Sequence, residues 1–292
     1  DHILLQKDIY GGTRNLVEAQ FKRYNIDYTF TDDIDLKFFK SAIKKNTKVI
    51  YIETPSNPLL KIVDIEKIAQ FAKSKNITTI IDNTFATPII QKPILFGVDV
   101  VLHSATKYFG GHSDISAGAV AASQAHIDKI WNLAKNLGGN LSDYSVWLLE
   151  RSMKTLSIRV KAQQKNAKRL AKYLSESRFV KKVYYPGLKN HPNHNLAKKQ
   201  MKGFGAMISF EFIDKIDPSL FLTSLNLIKP SMSLAGVEST MLSPAETSHY
   251  LLTEKERLSQ GITNELIRFS VGIENKKDII MDIEHAIKLS IK

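Results

Sequence analysis

The fold is decided by two short apolar runs that each end in polar residues. The first run reads TTIIDNT over residues 78–84, and the second reads VDVVLHSATK over residues 98–107. Continuous apolar character over so few residues is typical of strands that are buried on both faces of a parallel sheet. We therefore predict two neighbouring parallel strands, whose carboxyl ends bring Asp82 and Lys107 to one crevice.

Strand and helix patterns alternate on both sides of these runs. A β-rich run covers residues 48–53, a loop with two prolines follows at 54–58, helical spacing of apolar residues covers 62–75, and a further strand is predicted at 117–122. The first residues, DHILL, also have strand character. This alternation predicts an α/β fold, with a mostly parallel sheet that is covered by helices on both faces.

The second half of the chain predicts a smaller α/β unit. A helical region covers residues 142–177, strands are predicted at 180–185, 206–212 and 267–271, and a final helix is predicted at 277–291. We place a domain boundary near Leu156. The prediction is a large, ligand-binding domain over residues 1–156 and a small C-terminal domain, which includes the linking helix, over residues 157–292.

The composition excludes several classes of protein. The chain has 292 residues, of which 43% are hydrophobic and 24% charged, and these values exclude disordered and low-complexity classes. It has no cysteine, which excludes a disulfide scaffold, a thiolate metal site and a cysteine nucleophile. No metal is predicted, because His191 and His194 lie in a Pro-rich loop that lacks carboxylates. Without an apolar run long enough for a membrane span or a signal-peptide pattern, we expect a cytoplasmic protein with no membrane partner.

The excess of basic residues raises the alternative of a nucleic-acid-binding module. Lys and Arg number 41 against 29 Asp and Glu, a formal charge of +12. The densest helical patch, at residues 157–177, places Lys161, Lys165, Lys168 and Lys172 opposite an apolar stripe of Val160, Ala167, Leu170, Ala171 and Leu174. That pattern indicates an amphipathic helix with a solvated basic face, so no nucleic-acid partner is predicted.

Residues near the strand ends carry groups that suit one cofactor. The candidates are Tyr10, Asp82, Ser104, Thr106, Lys107, Gly110 and Gly111. A lysine amine forms a Schiff base with an aldehyde, and hydroxyl groups and glycine-rich turns hold a phosphate. The carboxylate of Asp82 would keep a pyridinium nitrogen protonated, and the ring of Tyr10 would stack on the pyridine. Together these residues fit pyridoxal 5'-phosphate.

A series of short motifs then runs through the chain. They are YGGT (10–13), ETPSNP (53–58), DNT (82–84), SATKY (104–108), YPGL (185–188), SLAGVES (233–239) and IRFSVGIE (267–274). In their order and content they resemble the Cys/Met-metabolism, or trans-sulfuration, family of fold-type I pyridoxal-phosphate enzymes. The motifs cover the chain from its first residues nearly to its last.

The resemblance implies a role around the cofactor for each matching residue. Lys107 would bind the cofactor covalently and later move protons between the substrate carbons. Asp82 would pair with the pyridine nitrogen, while Tyr10 would stack on the ring and help to activate the incoming amine. The other cofactor contacts would come from Asn57, Thr84, Ser104 and Thr106.

The resemblance also implies the substrate and the type of reaction. Arg268 would hold the substrate carboxylate in a bidentate fork, with help from Ser233. Glu238 would be a further contact to the substrate. The substrate would be a small-molecule sulfur amino acid, converted by β- or γ-elimination or by γ-replacement.

A few positions bear on which reaction to expect. Gly12 stands where methionine γ-lyases have a cysteine, and GVES at 236–239 resembles the branches that handle cystathionine. We therefore expect a cystathionine γ-synthase or γ-lyase. Cystathionine β-lyase, O-acetylhomoserine sulfhydrylase and methionine γ-lyase are the alternatives, because Ala235 replaces a usual glycine and TSH at 247–249 only approximates the family motif.

The resemblance further implies a homodimer or homotetramer and a segment before the position of Asp1 that carries a phosphate loop. We therefore expect a chain that is truncated at its N-terminus and that binds the cofactor weakly or not at all by itself. Other classes stay open at this point. They are a pyridoxal-phosphate aminotransferase, which would not require the SLAGVES segment, a non-catalytic fragment, and a basic nucleic-acid-binding module.

Overall fold

The computed structural model of the chain describes residues 1–247, 250 and 253–292. Ser248 and His249, which belong to the departure from the family motif at 247–249, lie outside the described residues. Within the described part, the strands form two sheets. No helix in that part is long and apolar enough to cross a membrane.

The first sheet contains six strands. They are β1 (His2–Leu5), β2 (Asp27–Phe30), β3 (Thr47–Glu53), β4 (Thr78–Asp82), β5 (Val100–Ser104) and β6 (Gly118–Ala122). Their order is β2-β1-β3-β4-β5-β6, and all neighbours run parallel except β5 and β6. The α-helices that accompany them are α1 (Gly11–Gln20), α2 (Leu36–Ala42), α3 (Ile65–Ser74) and α4 (Thr87–Ile90).

Helices cover both faces of this sheet, as the apolar runs predict. Ile50 and Ile52 of β3 are fully buried and belong to the same apolar cluster as Ile68 of α3. Tyr51 points to the opposite face, where it packs in a second cluster with Val17 of α1. In a strand that is buried on both faces, apolar residues do not alternate with polar ones along the sequence. The predicted α/β class with a mostly parallel sheet is therefore confirmed.

The sequence patterns do not indicate the direction of β6. A parallel connection between neighbouring strands usually runs through a helix, and the segment between β5 and β6 contains none. The segment 105–117 instead turns back directly after β5, so that β6 pairs with β5 in an antiparallel register from Ser104–Gly118 to Val100–Ala122. This return segment carries Lys107. The patterns also miss β2, a four-residue edge strand that is only partly buried.

The second sheet contains five strands. They are β7 (Val180–Tyr184), β8 (Met207–Phe212), β9 (Lys229–Pro230), β10 (Thr240–Leu242) and β11 (Leu266–Ser270), in the order β7-β8-β11-β10-β9. The first, second and last agree with predicted strands, whereas β9 and β10 are too short to give a sequence pattern. The three helical segments that link them and the last helix are α8 (His194–Gln200), α9 (Pro218–Thr223), α10 (Glu254–Ser259) and α11 (Lys276–Leu289).

Three helices connect the two sheets. They are α5 (Gln124–Leu137), α6 (Asp143–Met153) and α7 (Leu156–Glu176), so the helical region expected at 142–177 is two helices with a break at Lys154 and Thr155. On α7 the predicted apolar stripe is buried and its four lysines are exposed, which confirms the amphipathic interpretation. The boundary near Leu156, and with it the division into residues 1–156 and 157–292, stays a prediction.

Candidate active site

A cavity of about 430 Å³ lies at the carboxyl ends of β3, β4 and β5, between the two sheets. Its lining consists of Tyr10, Glu53, Pro55, Asn57, Asp82, Thr84, Phe85, Ser104, Thr106, Lys107, Ser116, Met232, Ser233, Leu234, Leu242 and Arg268. This set contains every site residue predicted from the sequence except Glu238 and the two glycines, Gly110 and Gly111. The volume is within the usual range for small-molecule and cofactor sites.

Lys107 stands in a tight turn directly after β5. Its backbone N–H donates to the carbonyl of Ser104 (3.1 Å), and its own carbonyl accepts from the N–H of Gly111 (2.7 Å). Burial lowers the pKa of the Lys107 amine, and the positive charge of Arg268 lowers it further. An amine with a lowered pKa is deprotonated more often at neutral pH, which is what a base or a nucleophile needs.

The two glycines after this turn use their backbone N–H groups within the chain. The N–H of Gly110 donates to the carbonyl of Ala105 (2.8 Å), and the N–H of Gly111 is used by Lys107. Gly111 has a φ of +71°, and a Cβ there would overlap the guanidinium of Arg159. The glycines are therefore required by backbone conformation and by close packing, since their donors are already satisfied.

Asp82 ends β4 and is tied to the end of β5 through Thr84. The carboxylate of Asp82 accepts a hydrogen bond from the backbone N–H of Thr84 (2.9 Å), and the hydroxyl of Thr84 accepts one from the N–H of Ser104 (2.8 Å). Burial raises the pKa of Asp82, while the hydrogen bonds from Thr84 oppose that rise. A partly buried carboxylate with unfilled acceptor capacity is suited to a cationic partner in the cavity.

The two candidate phosphate hydroxyls differ in their partners. The hydroxyl of Thr106 donates to the carbonyl of Ala117 (3.2 Å) and accepts from the N–H of the same residue (3.0 Å), so it closes the return segment between β5 and β6. The hydroxyl of Ser104 makes no hydrogen bond to any residue in the described part of the chain. Ser116, which no sequence motif indicates, adds a further hydroxyl to the lining.

Arg268 enters the cavity from β11 and is only 5% exposed. Its Nη2 donates to the carbonyl of Met232 (3.0 Å), and its Nη1 lies 3.5 Å from Oδ1 of Asn57. Within the described residues its Nε has no hydrogen-bond partner. Burial lowers the pKa of Arg268 to about 10, so the guanidinium stays charged at neutral pH. Ser233 was expected to support Arg268, but the support comes from the carbonyl of Met232.

Tyr10 stands at the mouth of the cavity, at the start of α1, and is 56% exposed. Its backbone N–H donates a 2.7 Å hydrogen bond to Oε2 of Glu53, which ends β3. Burial raises the pKa of Glu53 well above its ordinary value, and the neighbouring Asp82 raises it further. Glu53 begins the motif ETPSNP, which by itself indicates no role for this residue. Its place at a strand end, like that of Asp82, is the signal that could have identified it.

Glu238, which was expected to contact the substrate, lies outside the cavity lining. Its carboxylate accepts a 2.5 Å hydrogen bond from the hydroxyl of Ser113, which lies 3.4 Å from the hydroxyl of Ser233. Glu238 is therefore connected to the cavity only through these two serines. Among the described residues, no group of three or more His, Cys, Asp and Glu side chains is arranged to hold a metal ion.

The residues in the cavity fit pyridoxal phosphate. A half-buried amine, a partly buried carboxylate, several hydroxyl groups and a buried guanidinium, whose Nε has no partner among the described residues, all face one volume. Buried polar groups of this kind are costly unless a bound molecule satisfies them. An aldehyde, a pyridine nitrogen, a phosphate and a substrate carboxylate would satisfy them in turn.

Comparison with known proteins agrees with this chemistry. The family model described as "Cys/Met metabolism PLP-dependent enzyme" matches residues 1–288. The chain is 45% identical over 289 residues to a cystathionine β-lyase of Lactococcus lactis subsp. cremoris. The match covers 99% of this chain and 76% of that protein. It is 43% identical over 292 residues to an L-methionine γ-lyase of Fusobacterium nucleatum subsp. nucleatum, with 99% of this chain and 74% of that protein covered.

A solved structure matches equally well. The crystal structure of cystathionine γ-lyase from Lactobacillus plantarum, complexed with L-serine, superposes with a TM-score of 0.96 at 44% identity, and the match covers 99% of this chain and 76% of that chain. Sequence identity, the family model and the superposition point to the same group of enzymes. The chain thus belongs to the Cys/Met metabolism family of pyridoxal-phosphate-dependent enzymes.

Proposed function

We propose that this enzyme cleaves the C–S bond of L-cystathionine on the γ side and releases cysteine, 2-oxobutanoate and ammonia. The observation that carries the proposal is that Lys107, Asp82 and Arg268 line one cavity. Their shared cavity supports roles for these three residues as a base, a partner for a ring nitrogen and a carboxylate-binding group around a single volume. The GVES stretch at 236–239 and the close match to a solved cystathionine γ-lyase support the choice of substrate.

Proton transfer is assigned to Lys107. When bound, pyridoxal phosphate supplies an electron sink for negative charge at the α-carbon of an amino acid. The amine Nζ of Lys107 removes the α-proton, and a second removal at the β-carbon is what distinguishes γ- from β-elimination. Its lowered pKa increases the fraction of free amine at neutral pH, so the same group can accept each proton.

Binding and orientation are assigned to the residues around Lys107. Arg268 holds the α-carboxylate of the substrate, because its buried guanidinium presents an unpartnered Nε within the described residues. Asp82 would accept a hydrogen bond from the ring nitrogen, and Ser104 would donate one to the phosphate. Thr84, Thr106 and Asn57 fix the positions of these groups through their hydrogen bonds to Ser104, Ala117 and Arg268. Tyr10 covers the ring from the cavity mouth.

Cleavage on the β side is the second candidate. The specific observation in its favour is the 45% identity to a protein named cystathionine β-lyase. The two reactions share the cavity and the α-proton step, and they differ in whether a second proton leaves the β-carbon. The products separate them, because β cleavage releases homocysteine, pyruvate and ammonia.

We also propose that the chain acts as a homo-oligomer in the cytoplasm. Helix α5 has no buried residue, and its Trp131 and Leu133 and the Trp147 of α6 are more than half exposed. An apolar face of this kind is typical of a surface that packs against another protein chain, here a second copy. The absence of cysteine suits a reducing compartment. Sedimentation of the unmodified chain and of Trp131→Glu, together with cell fractionation, tests this pair of proposals.

The test of the function combines a spectrum with product analysis. The protein is tested with the N-terminal segment that the family resemblance implies restored. Mixed with pyridoxal phosphate, it is expected to show a visible absorbance band that Lys107→Ala abolishes, while Lys161→Ala, an exposed lysine on α7, keeps it. With L-cystathionine, cysteine and 2-oxobutanoate are the expected products. Homocysteine and pyruvate would replace the γ-proposal with the β-proposal. A band that survives Lys107→Ala would overturn the assignment of Lys107.

A further inference from the structure

A buried arginine on α7 holds the backbone that follows Lys107. The side chain of Arg159 is 5% exposed and makes four hydrogen bonds. Its Nη1 donates to the carbonyl of Tyr108 (2.7 Å) and its Nη2 donates to the carbonyl of Phe109 (3.2 Å), the first two residues after Lys107. The other two bonds run to the carbonyl of Ser152 (2.9 Å) and the hydroxyl of Thr155 (3.0 Å).

The chemistry of this contact is unusual for an arginine. A guanidinium that is taken out of water is normally paired with a carboxylate, because desolvation of the charge is costly. In the described residues Arg159 forms no salt bridge, and all four acceptors are carbonyl or hydroxyl oxygens. The planar fork of an arginine can hold two neighbouring carbonyl groups at once, which a lysine amine cannot do. The arrangement therefore constrains the turn that carries Lys107.

The same face of α7 also contacts the loop that lines the cavity opposite Lys107, at residues 232–234 and just after them. Gln163, one helical turn after Arg159, is 1% exposed and donates a 2.6 Å hydrogen bond to the carbonyl of Gly236. This loop and the segment after Lys107 also contact each other, since the N–H of Val237 donates to the carbonyl of Gly111 (2.9 Å). The segment before Gly236 includes Met232, whose carbonyl binds Arg268. Helix α7 thus contacts the Lys107 turn and the loop that supports Arg268.

We propose that Arg159 is a positioning residue: by holding the carbonyls of Tyr108 and Phe109, it sets the place of Lys107 relative to Arg268. This rests on the proposed roles of Lys107 as base and Arg268 as carboxylate-binding group. Proton transfer between a fixed base and a bound substrate is sensitive to small displacements, and a shift of about 1 Å costs up to about a hundredfold in rate. Loss of the fork should therefore reduce kcat and leave substrate binding nearly unchanged.

The variants are Arg159→Met, which removes the donors while keeping much of the volume, and Arg159→Lys, which keeps the charge but loses the fork. The matched control is Arg169→Met, an exposed arginine on the same helix. The first readout needs no cofactor: hydrogen exchange of the amides in 107–111, compared with those of β4. We expect exchange in 107–111 to rise about tenfold in Arg159→Met, with β4 and the control unchanged.

The second readout is kinetic. In the cofactor-loaded protein we expect kcat for L-cystathionine to fall about 10- to 100-fold in Arg159→Met, with KM altered less than about threefold and Arg159→Lys intermediate. Unchanged exchange in 107–111 overturns the proposal whatever the activity. Faster exchange with full kcat overturns it too, provided that Lys107→Ala abolishes activity. If Lys107→Ala is also fully active, the proposed function of Lys107 has failed instead. A uniform rise of exchange, including β4, would mean that Arg159 serves general stability, which also overturns the proposal.

Discussion

Glu53 and Asp82 are direct partners in the parallel register of β3 and β4, so the buried carboxyl group of Glu53 stands beside the partly buried one of Asp82 at the edge of the cavity. Each is the last residue of its strand, and each carboxyl group accepts a hydrogen bond from a nearby backbone N–H. Glu53 binds the backbone N–H of Tyr10, while Asp82 binds Thr84. Because the two carboxyl groups repel each other when both are ionised, burial and proximity together favour a proton on Glu53.

This pair predicts a pH-dependent stability. For a carboxyl group whose pKa is raised by folding, the folded chain holds the proton to a higher pH than the unfolded chain. The stabilisation is complete below the ordinary Glu pKa of 4.5 and is lost as the pH rises through the raised pKa of the folded protein. We expect Glu53→Gln to remove this loss. Within that window, the free energy of unfolding of Glu53→Gln minus that of the unmodified protein should therefore increase by up to about 1.4 kcal/mol per pH unit.

Urea unfolding of the cofactor-free protein at a series of pH values measures this difference. Glu254→Gln, an exposed glutamate at the start of α10, is the control and should follow the unmodified protein at every pH. A constant gap between Glu53→Gln and the unmodified protein across the window would show that Glu53 is ionised in the folded state.

Arg268 is expected to tune the amine of Lys107. Its positive charge lowers the pKa of that amine, after burial, and its own pKa of about 10 keeps it charged at neutral pH. Arg268→Gln should therefore raise the pKa of Lys107 and reduce the fraction of free amine. The measurement is the pH dependence of the rate at which the visible band forms on adding pyridoxal phosphate, since only the free amine reacts. Arg268→Lys keeps the charge and should keep the midpoint. Equal midpoints in all three proteins would contradict the coupling.

Substrate affinity should respond differently to the same position. A lysine at 268 carries the charge but cannot present two parallel N–H donors to a carboxylate. We expect Arg268→Lys to raise the KM for L-cystathionine about tenfold or more, with a smaller effect on kcat. Arg169→Lys, on the exposed side of α7, should leave both constants unchanged. An unaltered KM in Arg268→Lys would place the carboxylate elsewhere in the cavity.

Gly12 limits where the ring of Tyr10 can stand. A Cβ at position 12 would lie 2.5 Å from Cε1 of that ring, whereas a Cβ at Gly118 of β6 would meet nothing within 4 Å. Because the ring is at the end of an exposed side chain, it can turn away, so we expect Gly12→Ala to fold normally. Its kcat/KM should nevertheless fall about tenfold, since the ring no longer covers the cavity mouth. Gly118→Ala is the matched control. Full activity in Gly12→Ala would remove Tyr10 from the proposed site.

Much of the molecule is determined by its sequence. The apolar runs that end at Asp82 and Ser104 predict parallel strands because burial on both faces leaves no polar alternation. The polar residues after those runs then belong to the edge where ligands bind. That Asp82 and Lys107 share a cavity follows from strand order alone, because β4 and β5 are neighbours. The chemical types of the site residues, and hence the cofactor, could be read in the same way.

Other features depend on tertiary structure, because they arise from contacts between distant residues. Arg268 and Asn57 are separated by 211 positions and meet only when the two sheets pack together. The protonation of Glu53 is set by burial, which no local pattern reports. Glycines 110 and 111 have the composition of a phosphate loop, but the turn after β5 uses their donors internally. The hydrogen bonds from Arg159 to that turn likewise form only because α7 packs against it. The sequence thus supplied the reacting groups, and packing decided their geometry and charge.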